Sequence, residues 1–204
     1  MNDLAVHARG LCSLPPSCGP VRLIAVDGHA GSGKSTFAGR LAAALGGAPV
    51  LHLDDLATHE ELFAWTHRLR SQVLEPLSRG ESARYAPYDW TDRRFGPPRT
   101  LDPAPVMLVE GVGAGRGAVR PFLAGLLWIE GDSETSWERG RHRDGPGLSE
   151  FWDGWTVAER RHFAEDPSHP FADWVIRRTP TGYAWLEGPR PTAVTSRIVT
   201  DGEA

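Results

Sequence analysis

A chain of 204 residues, 40% hydrophobic and 24% charged, suits one globular domain large enough to bury a substantial core. Its formal net charge of −4 gives no bulk attraction to nucleic acid or to an anionic membrane, so any phosphate chemistry must come from a local site. The N-terminus is too polar for a secretory signal, no apolar run is long enough to span a membrane, and Cys12 and Cys18 lack companion ligands for zinc. The expectation is a cytoplasmic protein with two incidental thiols and no nucleic-acid or membrane partner; a homo-oligomer is left open.

Residues 3–12 have the pattern of a short leading helix, ended by the Pro-Pro of LPPSCGP. VRLIAVDG (21–28) is a nearly continuous apolar run, as expected of a strand buried on both faces. FAGRLAAAL (37–45) has helical spacing and is stopped by Gly46 and Gly47. PVLHLDD (49–55) reads as a second strand. Leu62, Trp65, Leu69, Val73 and Leu77 then recur at helical spacing and predict a long amphipathic helix over 58–79.

Residues 81–105 are rich in Tyr, Arg and Pro and read as an irregular or hairpin-like excursion of the kind that carries binding residues. VMLVEG (106–111) and LLWIEG (126–131) are further strands, and a helix over 133–145 takes Ser133 as its cap. Another helix covers 148–166, ADWVIRR (172–178) gives a last strand, and the tail from 179 to 204 carries only weak strand signals. Alternating strands and helices predict a single α/β domain over 1–204, with a mostly parallel five-stranded sheet covered by helices on both faces. Residues 1–20 form its leading helix and loop, and 133–147 a helical lid.

VDGHAGSGKST (26–36) holds the only lysine of the chain among 22 basic Lys and Arg residues. Gly28-x4-Gly33-Lys34-Ser35, after a buried strand and before a helix, is the phosphate-loop pattern. Its glycines let successive N–H groups turn inward, and the helix start adds unpaired amides. Gly28, Ala30, Gly31, Ser32, Gly33, Lys34, Ser35 and Thr36 are therefore the nucleotide-binding candidates. A compact ammonium fits inside a closed loop where a planar guanidinium does not, which accounts for the lone lysine.

Ligands of open parallel sheets sit beyond the carboxyl ends of the strands, and acids stand at three of those ends: Asp27, the pair Asp54-Asp55, and Glu110. Neighbouring strand residues point oppositely, so Asp54 and Asp55 are expected to do different work. One can accept a proton from an attacking hydroxyl while the other orients substrate or metal water. Glu110 and the Ser35 hydroxyl are candidate Mg²⁺ ligands. Arg139 and Arg143, four apart on the predicted lid helix, share a face.

VDGHAGSGKST, LHLDDL (51–56), APYDW (86–90), LVEG (108–111) and ERGRHRD (138–144), in this order, resemble the uridine kinase family of P-loop kinases, related to phosphoribulokinase and bacterial pantothenate kinase. The short actinobacterial uridine kinase-like proteins are the nearest in pattern. The resemblance, which runs from about residue 20 to 177, implies a three-layer P-loop NTPase fold and ATP-dependent phosphoryl transfer to a small-molecule hydroxyl, most simply that of uridine or cytidine. It implies Asp54 as catalytic base, and Ser35 and Glu110, joined by Asp54, as the magnesium site. It further implies Asp55, Tyr88 and Asp89 on the substrate side, and Lys34, Arg139 and Arg143 around the transferring phosphoryl group. Two departures stand out: Leu56 and Ala57 replace an aromatic pair after the catalytic aspartate, and Arg93 replaces a histidine. Arg93, with Arg94 beside it, suits an anionic acceptor better than a neutral base. The other acceptors in view are a sugar phosphate, a pantothenate-like alcohol or a specialised metabolite. A non-catalytic nucleotide switch is the rival class, but no second lysine exists for a guanine-reading Asn-Lys-x-Asp motif, and no LSGGQ-like signature is present.

Overall fold

The computed structural model describes residues 3–190, and its central feature is a sheet sorted into two faces by side-chain alternation. Four parallel strands carry most of it: β1 (Arg22–Asp27), β2 (Val50–His52), and the two strands that follow the excursion. Within the excursion, Ala83–Tyr85 (β3), Tyr88–Asp89 (β4), Arg94–Phe95 (β5) and Arg99–Leu101 (β6) form two small antiparallel pairs, β3 with β6 and β4 with β5. Next come β7 (Val106–Glu110), β8 (Gly125–Ile129), β9 (Trp174–Thr179) and β10 (Gly182–Glu187). The main sheet has six strands in the order β10-β9-β8-β1-β7-β2, parallel except for β10.

Leu23 and Ala25, Met107 and Val109, Leu126 and Trp128 point to one face, under the helices after β2 and after the lid. Their neighbours Ile24, Val26, Leu108, Leu127 and Ile129 point to the other, where the leading helix Asp3–Cys12 and the loop helix Lys34–Ala44 pack. Strands buried on both faces need this two-sided apolar run, and with both faces covered a site falls at the strand ends. Cys12 and Cys18 are both free; Cys18 is buried, and desolvation pushes its thiol up to about 11.

Four details differ from the sequence expectation. A sixth strand, β10, lies in what reads as a weak tail, where Tyr183 and Trp185 pack on Phe37 and the Trp185 ring stacks on His7 at 4.2 Å. Both rings pack, half-buried, against the core on that face of the sheet. The helix after β2 covers only residues 66–78, because Thr58 folds a turn on Glu61 whose N–H donates to Thr58 Oγ1 at 3.0 Å. It widens to a π turn over Arg70–Leu74, just ahead of Pro76, which has no N–H to give Gln72 and whose ring would crowd that carbonyl. The cap of the lid helix Ser133–Asp144 is Asp132, not Ser133: its carboxylate accepts the Thr135 N–H at 2.9 Å. Residues 191–204 of the predicted tail lie outside the described residues. Among the described residues, no helix is long and apolar enough to cross a membrane.

Candidate active site

The loop between β1 and the helix Lys34–Ala44 is shaped by contacts from three sides. From below, the fully buried Asp27 carboxylate accepts the Gly28 N–H at 2.7 Å and those of Gly113 and Gly115 at 2.9 and 2.8 Å, binding the loop to the chain after β7. Burial raises its proton affinity, and the three N–H donors oppose that rise. Asp27 is thus a structural clamp. From above, Gly31 (φ +78°) lies directly on the lid helix: a Cβ there would come within 2.0 Å of the Ser136 carbonyl oxygen. Gly33 (φ +98°) caps the loop helix in a left-handed conformation that turns the chain into its first turn.

From the side, Glu159 of the helix Ser149–Glu165 accepts from His29 Nδ1 at 2.8 Å and from the Ala30 N–H. Nothing local in the sequence signals this residue, which lies 130 positions away from His29.

Inside the loop, Lys34 is buried and its Nζ donates to the His29 carbonyl at 2.9 Å. Ser32 Oγ is buried and has no hydrogen-bond partner. The amides of Gly31, Gly33, Lys34 and Ser35 make no hydrogen bond among the described residues, as expected of a helix N-terminus built to receive an anion. Ser35 and Thr36 are exposed on the first turn.

At the end of β7, Glu110 is buried and accepts from Ser35 Oγ at 3.0 Å and from His52 Nδ1 at 2.6 Å. Burial alone would raise its pKa, but the His52 hydrogen bond, the Lys34 charge and the Ser35 hydroxyl together bring it below its usual value. The same bond raises that of His52. His52 is half-exposed, at the end of β2.

Asp54 and Asp55 lie on a single 3₁₀ turn, Leu53–Asp55, after β2 has ended. The opposition expected of strand neighbours is therefore replaced by a turn that sends the two acids to adjacent places. Asp54 is exposed at the mouth of the cleft. Partial desolvation, then the nearby Glu110 charge, raise its pKa, while Lys34 and His52 pull it down. Its backbone carbonyl accepts the Trp90 indole N–H at 3.0 Å. Asp55 accepts from Tyr85 Oη at 3.3 Å and lies 3.8 Å from Arg99.

The structure thus gathers Lys34, Ser35, Glu110 and Asp54 at one sheet edge. Arg143 faces it closely enough for the Asp54 charge to stabilise its guanidinium, although its direct partner is Asp144 at 2.6 Å. Arg139 donates to Ser136 Oγ at 3.1 Å beside the loop. Arg141 pairs with Asp153 away from the site.

On the acceptor side, Tyr88 is buried with its hydroxyl 3.0 Å from His59 Nδ1. The Asp89 carboxylate, through Oδ1, accepts the N–H groups of Thr91 and Asp92 of its own hairpin at 2.9 and 2.8 Å. Arg94 turns back to Asp92 at 2.9 Å. Arg93 takes a left-handed backbone (φ 53°) and stands exposed; its charge, after desolvation, helps lower the pKa of His59. Leu56 and Ala57 are fully buried in the core, so they form no cleft wall. An aromatic wall is supplied instead by the half-buried His59, Trp90 and Phe151, whose ring centroids lie 4.9–5.9 Å apart. A cavity of about 700 Å³ lies beside the phosphate loop, between His29, Trp128, Gly131 and His169. It is lined by neither Lys34 nor Asp54.

The sheet order and the loop define a P-loop nucleotide-binding fold. Two solved structures share this fold. One is a protein described as a possible uridine kinase from Bacillus stearothermophilus, with TM-score 0.61, 17% identity, and 84% of this chain and 96% of that one covered. The other is a provisionally assigned fructose transport system kinase from Silicibacter sp. TM1040, with TM-score 0.52, 20% identity and coverage of 82% and 91%. At these identities the likeness is one of fold. No protein-family model and no curated protein matches the chain.

Proposed function

We propose that this protein is an ATP-dependent phosphotransferase acting on a hydroxyl of a small molecule, as a uridine kinase-like enzyme. The observation that carries the reading is the meeting of Lys34, Ser35, Glu110 and Asp54 at one edge of the sheet, with unpaired loop amides between them. The amides and Lys34 would hold the β- and γ-phosphates. Lys34 leaves the His29 carbonyl to do so, exchanging a neutral acceptor for an anionic one.

Among the described residues no group of three or more His, Cys, Asp or Glu side chains is placed to hold a metal by itself. Mg²⁺ needs few protein ligands when phosphate and water complete its shell, and the adjacent oxygens of Ser35 and Glu110, with Asp54 nearby, fit it. When bound it would supply neutralising charge on the phosphate oxygens.

Asp54 would take the proton of the acceptor hydroxyl, and its raised proton affinity suits a base that must hold a proton during transfer. Arg143 and Arg139 would neutralise charge on the phosphoryl group in flight. The lid helix, seated on Gly31, would exclude water from it. The reading adds no nucleic-acid or membrane partner.

For the acceptor, the wall of His59, Trp90 and Phe151 favours a flat ring such as a nucleoside base, stacked beside Asp54. The exposed Arg93 next to that wall favours an acceptor that also carries an anionic group, the second reading. A mass-spectrometric screen for ATP-dependent phosphorylation of nucleosides, sugar phosphates and pantothenate separates the two. With the acceptor in hand, Asp54→Asn should bind ATP as before and lose on the order of 10²–10⁴ in turnover; full turnover would defeat the assignment.

A further inference from the structure

Glu159 is a carboxylate with 0% exposure set against a loop meant for anions. Burying such a charge is costly unless donors surround it. Here they do: His29 Nδ1 at 2.8 Å, the Ala30 N–H at 3.3 and 3.2 Å to its two oxygens, and the Trp155 indole N–H at 2.7 Å. The His29 ring is further boxed edge-on by Trp128, Trp137 and Phe163. The Ala30 amide, spent on Glu159, cannot serve a phosphate, whereas those of Gly31, Gly33, Lys34 and Ser35 make no hydrogen bond among the described residues. On the opposite side, the His29 carbonyl accepts from the Ser32 N–H at 3.0 Å and, while no phosphate is bound, from Lys34 Nζ at 2.9 Å. Gly28 and Ala30 are thus held from outside the loop through their amides and His29 through its ring, by Asp27 and Glu159, while the amides of Gly31, Gly33, Lys34 and Ser35 stay unpaired. Glu159 itself rides on the helix that follows the lid, whose backbone touches the same loop at Gly31.

We propose that Glu159 is the positioning residue of the phosphate loop: through His29 and Ala30 it sets the loop in its binding shape and ties that shape to the placement of the lid. The proposal rests on the loop's reading as a triphosphate site. Its role is geometric, since a carboxylate there repels the triphosphate and contributes only by holding the donors in place. A neutral acceptor of the same shape should therefore do most of the work.

The test is direct titration of Mg²⁺-ATP binding by calorimetry, on the full chain, with urea unfolding as the check on folding. Glu159→Ala, folded, should weaken binding about tenfold or more, the scale of a charge-assisted hydrogen-bond set. Glu159→Gln should recover most of that loss, since its amide can accept from Ala30 and donate to His29 Nδ1 in the other tautomer. A merely structural role would lower the urea midpoint of both variants and leave the dissociation constant alone; that result, or a Gln variant as weak as Ala, overturns the proposal. Should Glu159→Ala not fold, His29→Ala removes the same contact from the loop side, and unchanged affinity there overturns it equally. Wild-type protein that binds no Mg²⁺-ATP would defeat the kinase reading and this inference with it. Binding by wild type that the variants match defeats this inference alone.

Discussion

His162 gives a measurable pH dependence of stability. Its ring is buried, stacked on Phe63 at 4.8 Å and 6°, with Nδ1 accepting from Arg116 at 3.1 Å and Nε2 without a partner. Desolvation, then the Arg116 charge, depress its pKa to about 4. Protonation would cost the ring its acceptor role and set two cations side by side.

The unfolded chain titrates this histidine at about 6.5, so between about 4 and 6.5 the unfolded state binds more protons and stability rises with pH. The whole gap corresponds to roughly 3 kcal/mol, and the part lost between pH 7.5 and 5 to roughly 2 kcal/mol. Urea unfolding of wild type and His162→Phe at pH 7.5, 6.5, 5.5 and 5.0 isolates it. The variant loses the Arg116 hydrogen bond at every pH, so the comparison is of slopes, and contributions of His52 and His59 cancel in the difference. Wild type should lose about 2 kcal/mol more than the variant over that range. Parallel curves would refute the burial argument.

Gly31→Ala puts a Cβ at φ +78° and within 2.0 Å of the Ser136 carbonyl, so the lid must move; we expect at least ~2 kcal/mol of lost stability by urea unfolding, together with weakened ATP binding. Lys34→Arg should fold normally yet weaken Mg²⁺-ATP binding about 100-fold by calorimetry, because a planar fork cannot occupy the buried volume that the ammonium fills inside the loop. Trp90→Ala removes both a face of the aromatic wall and the donor to the Asp54 carbonyl, and should raise the acceptor KM about tenfold or more while leaving ATP affinity unchanged. Steady-state kinetics with each substrate varied in turn distinguish this from a general loss of activity.

The parts legible in the sequence are those whose cause is local. Lys34, Ser35 and the glycines belong to one loop, and the acids at 27, 54 and 110 follow apolar runs whose ends a parallel sheet must bring to one edge. Burial of Trp65, Trp128 and Trp152 likewise follows from residue type. What escaped depends on contacts between distant segments or on a competition within a short one. The Asp54-Asp55 pair continues the apolar run PVLHL, yet the strand stops at His52 and a 3₁₀ turn takes over. Alternation in GYAWLE was a real strand signal, outweighed by the Pro180-Thr181-Gly182 turn that makes the hairpin with β9.

Glu159 left no trace, because on its own helix it is one polar position among many. The division has a physical basis: a motif names the groups that touch phosphate, whereas the shape that lets them do so comes from outside it. Asp27 pulls the loop down, the lid backbone bears on Gly31, and Glu159 holds His29 and Ala30 from the side. Donors set by such remote anchors need not reorganise when the anion arrives, so the free energy of binding is not spent on shaping the loop. Two proteins with the same phosphate-loop letters can therefore differ in affinity through residues that never meet the nucleotide.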